Sequence, residues 1–221
     1  MDKKLNGGKT QWLRDGRDLI YVAENRCRHP GVCQTAHGRS ILVFTLRSLE
    51  EERTGGGRLV GMIRNPRFRS WLRPRTLLAD DTHEPRALGT ITCLQSGELL
   101  LLVALVSKNQ AESCLRFLRS RDSGDSWEAI RPRVNHEYQW LMPKGKVLQR
   151  NGKLLLPVFG ALTETDLRDA NSVCGFLESS DRGESWQQGP LIASDSTRVY
   201  SYEYPAVFSM GGLSFEKRSR G

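Results

Sequence analysis

The stretches "SRDSGDSW" (residues 120–127) and "SSDRGESW" (residues 179–186) spell one polar turn twice, each time ending on a tryptophan. A turn repeated at a fixed period marks a repeated supersecondary unit. The tryptophans extend the ruler, because Trp12, Trp71, Trp127 and Trp186 recur at a nearly even step. "RSW" before Trp71 and "GKTQW" before Trp12 read as degenerate copies of the turn. A second marker keeps the same step: Gly38, Gly97, Gly152 and Gly212 are almost evenly spaced, each between strand-like runs.

Each period reads as two hairpins, one turning at the glycine and one at the polar box. Leu, Val, Ile and Phe dominate the flanking runs, and no stretch sustains a helical period. Four short strands per unit, repeated radially, describe a blade of a β-propeller, so the expected class is all-β and the chain is read as one domain, 1–221. The box explains its own spelling. Its aspartate can accept N–H bonds within the turn, its glycine can take a left-handed conformation, and its tryptophan can wedge beneath. The box is an architectural fastener and supplies no site residue.

Composition sets bounds. Hydrophobic residues at 38% and charged residues at 26% fit a chain that buries a core. The apolar run Leu99–Val106 is far shorter than the roughly 20 residues of a membrane-crossing helix. "MDKKLNGGKTQW" is followed by no apolar segment and so is no signal peptide; the expected location is the cytoplasm, unless a leader lies outside this chain. Five cysteines (Cys27, Cys33, Cys93, Cys114, Cys174) without a CxxC pair argue against zinc or a disulfide framework and are read as small core residues. The net charge of +8 suits an anionic partner. Its arginines are scattered, with only Arg64–Arg75 dense, which disfavours nucleic acid. No pattern suggests a cofactor, a metal or membrane insertion.

A turn of the form S-x-D-x-G-x-[ST]-W resembles the Asp-box of the sialidase (neuraminidase) superfamily. "NRCRHPGVCQTAHGRSILVFTLR" is similar to that family's first blade, and "SVCGFLESSDRGESWQQGPLIASDSTRVYSYEYPAVF" to the stretch leading to its catalytic glutamate. The likeness runs from about Ile20 to Gly212. It implies a six-bladed propeller and an exo-α-sialidase-type hydrolase that releases terminal sialic acids from glycans. Arg28 falls on the first arginine of the family's triad and Glu203 on its glutamate. The chemistry is coherent: an arginine fork binds a sugar carboxylate, which would repel an anionic nucleophile, and sialidases use a tyrosine instead. A glutamate can take the phenolic proton.

The chain also departs from the pattern. The family's acid/base aspartate should lie in "LRSLEEERTGGGRLV", which has none; Glu50, Glu51 or Glu52 is a substitute, Glu52 the nearest by count, and a charged flexible loop is the equal alternative. Six blades need roughly 350 residues, so this chain is expected to hold about three and a half. The second triad arginine would be Arg218 or its neighbour Arg220, in a polar tail (213–221) expected to break the strand pattern. The third arginine and the tyrosine would lie beyond Gly221. The expected chain is thus an N-terminal portion, weakly active or inactive alone, with a sialylated glycan or related acidic sugar as partner. The alternative is a non-catalytic propeller that binds glycan or protein. His83, Glu84 and Arg86, in "DTHEPRALG", open the second blade and are expected at the central cavity; "NHEYQW" (135–140) opens the third.

Overall fold

The computed structural model describes residues 26–67, 71–195, 197 and 201–202, and the backbone of 200, 206–207, 213–214 and 218–219. Three consecutive antiparallel sheets account for most of them. The first contains β1 (Arg26–Gln34), β2 (Ser40–Arg47), β3 (Gly57–Arg64) and β4 (Arg75–Asp80), paired in that order. In the second, β5 (His83–Arg86) and β6 (Ile91–Cys93) both pair with β7 (Leu99–Ser107), followed by β8 (Ser113–Ser120) and β9 (Glu128–Ile130). The third repeats this plan. Its β11 (Trp140–Pro143) and β12 (Leu148–Arg150) pair with β13 (Lys153–Ala161), followed by β14 (Val173–Ser179) and β15 (Ser185–Ala193). The linking strand β10 (Arg133–Asn135) runs parallel to β15 at its outer edge. These are propeller blades.

The most apolar stretch shows how the blades stack. All of Leu99–Val106 in β7 is buried. Leu99, Leu101 and Val103 pack with Ile41, Val43 and Leu59 of the first blade, while Leu100 and Leu102 pack with Leu154, Leu156 and Trp186 of the third. A strand covered on both faces needs apolar residues at every position, so alternation disappears.

Inner strands approach one another closely. A Cβ on Gly31 would stand 3.2 Å from the Gly89 Cα and 3.3 Å from Val43 Cγ2. The Gly145 amide donates to the Leu88 carbonyl at 2.9 Å, joining the second and third blades. Each inner strand is interrupted here: β1 shifts register between Arg28 and Gly31, and the gaps β5/β6 and β11/β12 fall at Gly89 and Gly145.

Both boxes form the same turn, between the third and fourth strands of their blades. Asp122 Oδ1 accepts from Ser120 Oγ (2.8 Å) and the Ser126 amide (2.8 Å), and Asp181 Oδ1 accepts from Ser179 Oγ (2.8 Å) and the Ser185 amide (2.9 Å). Ser123–Gly124 and Arg182–Gly183 all have positive φ. Antiparallel succession places these turns at one end of the blades and the links between second and third strands at the other. Two such links carry helices, α1 (Leu49–Thr54) and α2 (Glu164–Arg168), each started by a capping box.

Trp186 is buried, but Trp127, expected to be buried as well, is only partly covered. Trp186 stacks on Phe117 across a filled blade interface, whereas Trp127 borders a cavity of about 180 Å³ between the first two blades. Trp71 occupies the corresponding turn of the first blade and packs on Phe44, Val60 and Met62; Trp12 lies outside the described residues. The cysteines divide: Cys33 and Cys174 are buried, while Cys27 and Cys114 are exposed on strand faces turned to solvent. The tail expected to break the strand pattern supplies a two-residue strand, Arg218–Ser219, paired with Tyr200–Ser201.

Candidate functional site

The end opposite the boxes, where inner strands begin, gathers charge. Glu84 on β5 is 3% exposed. Its Oε2 accepts from Arg86 (Nη2 at 2.8 Å, Nε at 3.0 Å) and faces Arg47 Nη1 of β2 at 3.5 Å. Its Oε1 faces His29 Nε2 at 3.6 Å and Arg28 Nη1 at 3.9 Å, both from β1. Burial pushes the Glu84 carboxyl up, but His29, Arg86 and Arg47 outweigh it and hold the group at about 2. Glu84 is a permanent anion that collects arginines from two blades.

Of the three glutamates in the acidic loop, one turns toward this cluster. Ser48 caps α1: its Oγ accepts from the Glu51 amide (3.1 Å), and its own amide donates to Glu51 Oε2 (2.6 Å). Glu51 is further engaged by Arg58 (2.8 Å) and Glu50 by Arg53 (2.5 Å). Glu52 Oε1 instead stands 3.3 Å from Arg26 Nη1 and 3.6 Å from Arg28 Nη2. The loop is a short capped helix, and the signal for it was present in Ser48-x-x-Glu51.

Four guanidinium groups (Arg26, Arg28, Arg47, Arg86) therefore share two carboxylates, and the cluster carries positive charge in excess. It abuts an open cavity of about 660 Å³ whose lining includes His29, Arg86, Leu88, Trp140, Lys144 and Phe159. Burial holds the Lys144 ammonium below the ordinary lysine range. Trp140 and Phe159 meet edge to face, with centroids 5.9 Å apart. Such a cavity can hold an anion against cations and a ring face against an aromatic one.

Arg28, Glu52, Glu84 and Arg86 are thus brought together. His83 is not: β5 alternates, and its ring sits 2.8 Å from Thr82 Oγ1 and 3.3 Å from Asp80 Oδ1. Glu203 lies outside the described residues. Arg218 is described in its backbone alone, opposite Ser201. Sequence reasoning passed over Arg26, His29 and Arg47. The first two flank Arg28 closely in "RCRH", and the bulge that turns His29 inward has no spelling of its own.

No protein-family model matches this sequence, and no curated protein matches it. Solved structures do match by fold. One is a protein of unknown function from Dyadobacter fermentans (TM-score 0.66, 15% identity, covering 84% of this chain and 59% of that one). Another is a Hadza microbial sialidase (TM-score 0.59, 17% identity, 79% and 38%). A third is an α-L-arabinofuranosidase from Fusarium graminearum (TM-score 0.60, 11% identity, 83% and 54%). This chain spans less than two thirds of the length of each. The fold its residues build is a portion of the β-propeller found in sialidases and other glycoside hydrolases.

Proposed function

We propose that the cluster around Arg28 belongs to the site of a sialidase-type glycosidase acting on a terminal acidic sugar. The observation that carries this is the approach of Glu52 to Arg28, 3.6 Å, in a charge cluster whose His29 and Arg86 line the neighbouring cavity. Arg28, aided by Arg86, holds the sugar carboxylate. Glu52, a carboxylic acid beside that carboxylate's anchor, serves as the acid/base group. Glu203 is the base for a tyrosine nucleophile and Arg218 a second carboxylate ligand. No cofactor is required, since glycoside cleavage here needs only proton transfer and a nucleophile.

A non-catalytic glycan-binding propeller is the second reading, favoured by Tyr138 and Tyr202 both packing into apolar clusters. Titration calorimetry with N-acetylneuraminic acid and turnover of a fluorogenic sialoside separate the two. Binding lost in Arg28→Ala, with turnover lost in Glu52→Gln, supports the enzyme. Arg28-dependent binding with weak or no turnover fits an N-terminal portion of the enzyme and a binding module alike. A wild-type chain that binds no acidic sugar overturns both.

A further inference from the structure

The two blade interfaces follow one plan and are filled differently. In the first blade Val43 pairs with Gly61, and in the second Leu102 pairs with Phe117. Val43 and Leu102 each face the following blade, so Gly61 and Phe117 hold equivalent places. Two residues on, Ile63 is equivalent to Arg119 in the same way. The Phe117 ring stacks on Trp186 of the third blade, with centroids 5.9 Å apart. Trp127, the equivalent tryptophan of the second blade, shares the cavity of about 180 Å³ with Gly61. Leu77 leans over Gly61, where a Cβ would stand 2.9 Å from its Cδ1, yet the space beside Trp127 remains.

Size and lining say what would fill it. A cavity of about 150 Å³ with aliphatic and aromatic walls stays dry and takes benzene. Ile41, Ile63, Leu77 and Trp127 line the space here, so it fits one phenyl ring, as the Phe117 ring fills the next interface. The solvent side is cationic: Arg73 and Arg75, both exposed, complete the lining. Arg75 Nη1 donates to the Asp125 carbonyl oxygen at 3.3 Å, which ties the guanidinium to the turn beside the cavity. The Asp125 carboxylate is itself paired with Arg39 at 2.7 Å, so the two arginines leave positive charge in excess. The geometry points to a binding site for a small aromatic carboxylate, at the box end and apart from the charge cluster around Glu84. Its ring enters between Ile41, Ile63 and Trp127, and its carboxylate meets Arg73 and Arg75. The ring gains apolar area and an aromatic neighbour. The carboxylate gains a charge-assisted bond that solvent weakens.

This site is independent of the function proposed above, and neither outcome at one bears on the other. In the full chain, isoleucine and leucine methyl signals are followed by NMR during titration with phenylacetate, benzyl alcohol or acetate. Phenylacetate is expected to shift the Ile41, Ile63 and Leu77 methyls and to leave those of Leu100 and Leu156, at the filled interface, in place. Benzyl alcohol is expected to shift the same three residues with about two- to fivefold weaker affinity, and acetate none of them. With Arg73→Gln and Arg75→Gln combined, phenylacetate affinity is expected to fall to that of benzyl alcohol. Phenylacetate that shifts none of the three, or shifts both interfaces alike, overturns the site. Equal affinity for the two ring compounds, or phenylacetate binding unchanged in the arginine variant, overturns the ligand class assigned to it.

Discussion

Arg119 of β8 ends inside the turn of the next blade, with Nη1 2.8 Å from Glu184 Oε1 and Nη2 3.1 Å from the Arg182 carbonyl oxygen. Arg39 does the same one blade earlier, reaching Asp125 Oδ2 at 2.7 Å. The box is thus closed internally by its aspartate and tied to its neighbour by an arginine. Arg119 is buried while Glu184 is mostly exposed, so the two ends of this bond differ in worth. Arg119→Met, which keeps the stem and removes the donors, is expected to cost about 1.5 to 3 kcal/mol in urea denaturation. Glu184→Ala is expected to cost less than about 1 kcal/mol, because its carboxylate is solvated. Equal losses would show that the ion pair, and not the carbonyl bond, holds the blades.

Gly124 has a second duty besides its φ of +92°. A Cβ there would lie 2.5 Å from Ile41 Cδ1 of the first blade, whereas Gly97, at φ +86°, has nothing within 4 Å. Gly97→Ala is expected to cost only the left-handed backbone, about 1 to 2 kcal/mol. Gly124→Ala adds an overpacked interface, about 1 to 3 kcal/mol more. Matched unfolding midpoints for the two variants would remove the blade contact from the account.

The period, the blades and the fastener role of the box were legible because each rests on local chemistry: turn residues, tryptophan spacing and strand composition. Arg28 was named from the family resemblance, and Glu84 and Arg86 from where inner strands begin. What stayed hidden is long-range or conformational. Nothing in "RCRH" says that a bulge will aim His29 at a carboxylate in the next blade, or that Arg47, at the end of an apolar strand, will reach the same carboxylate. His83 misled because strand alternation turns it from Glu84. Glu52 was singled out from Glu50 and Glu51 by count alone, and the physical reason, a capped helix and ion pairs that engage its neighbours, is conformational.

Acid should loosen the boxes. Bonds from Ser126 and Ser120 hold the Asp122 carboxyl at about 2, and bonds from Ser185 and Ser179 lower that of Asp181 further still. Both folded values lie below those of an unfolded chain, near 4, so the contribution is complete above about pH 4 and is lost as pH falls toward 2. Thermal unfolding between pH 7 and pH 2 is expected to show a decline confined to that window. Asp122→Asn with Asp181→Asn should be less stable at pH 7 and show a shallower acid slope. An unchanged slope would assign acid sensitivity to other carboxylates.

Glu84 and Glu52 should separate stability from binding. Glu84 is enclosed by Arg86, Arg47, Arg28 and His29, and removing its charge leaves neighbouring guanidinium groups unpaired in a desolvated place. Glu84→Gln is expected to destabilise by about 3 kcal/mol, the scale of breaking one partner of a buried pair. Glu52 instead faces Arg26 and Arg28, whose side chains are 62% and 40% exposed, so water takes over when the carboxylate is neutralised. Glu52→Gln is expected to change stability by less than about 1 kcal/mol. Under the proposed function it also strips a negative charge from the anion's anchor, so N-acetylneuraminate binding should be retained or tightened while turnover falls. Glu84→Gln should weaken that binding even where the variant is fully folded, because Arg28 and Arg86 lose the anion that orients them. Calorimetry at a temperature where both variants are folded makes the comparison. Equal binding by the two variants would mean that Glu84 supports the blades and leaves the arginines' aim to other contacts.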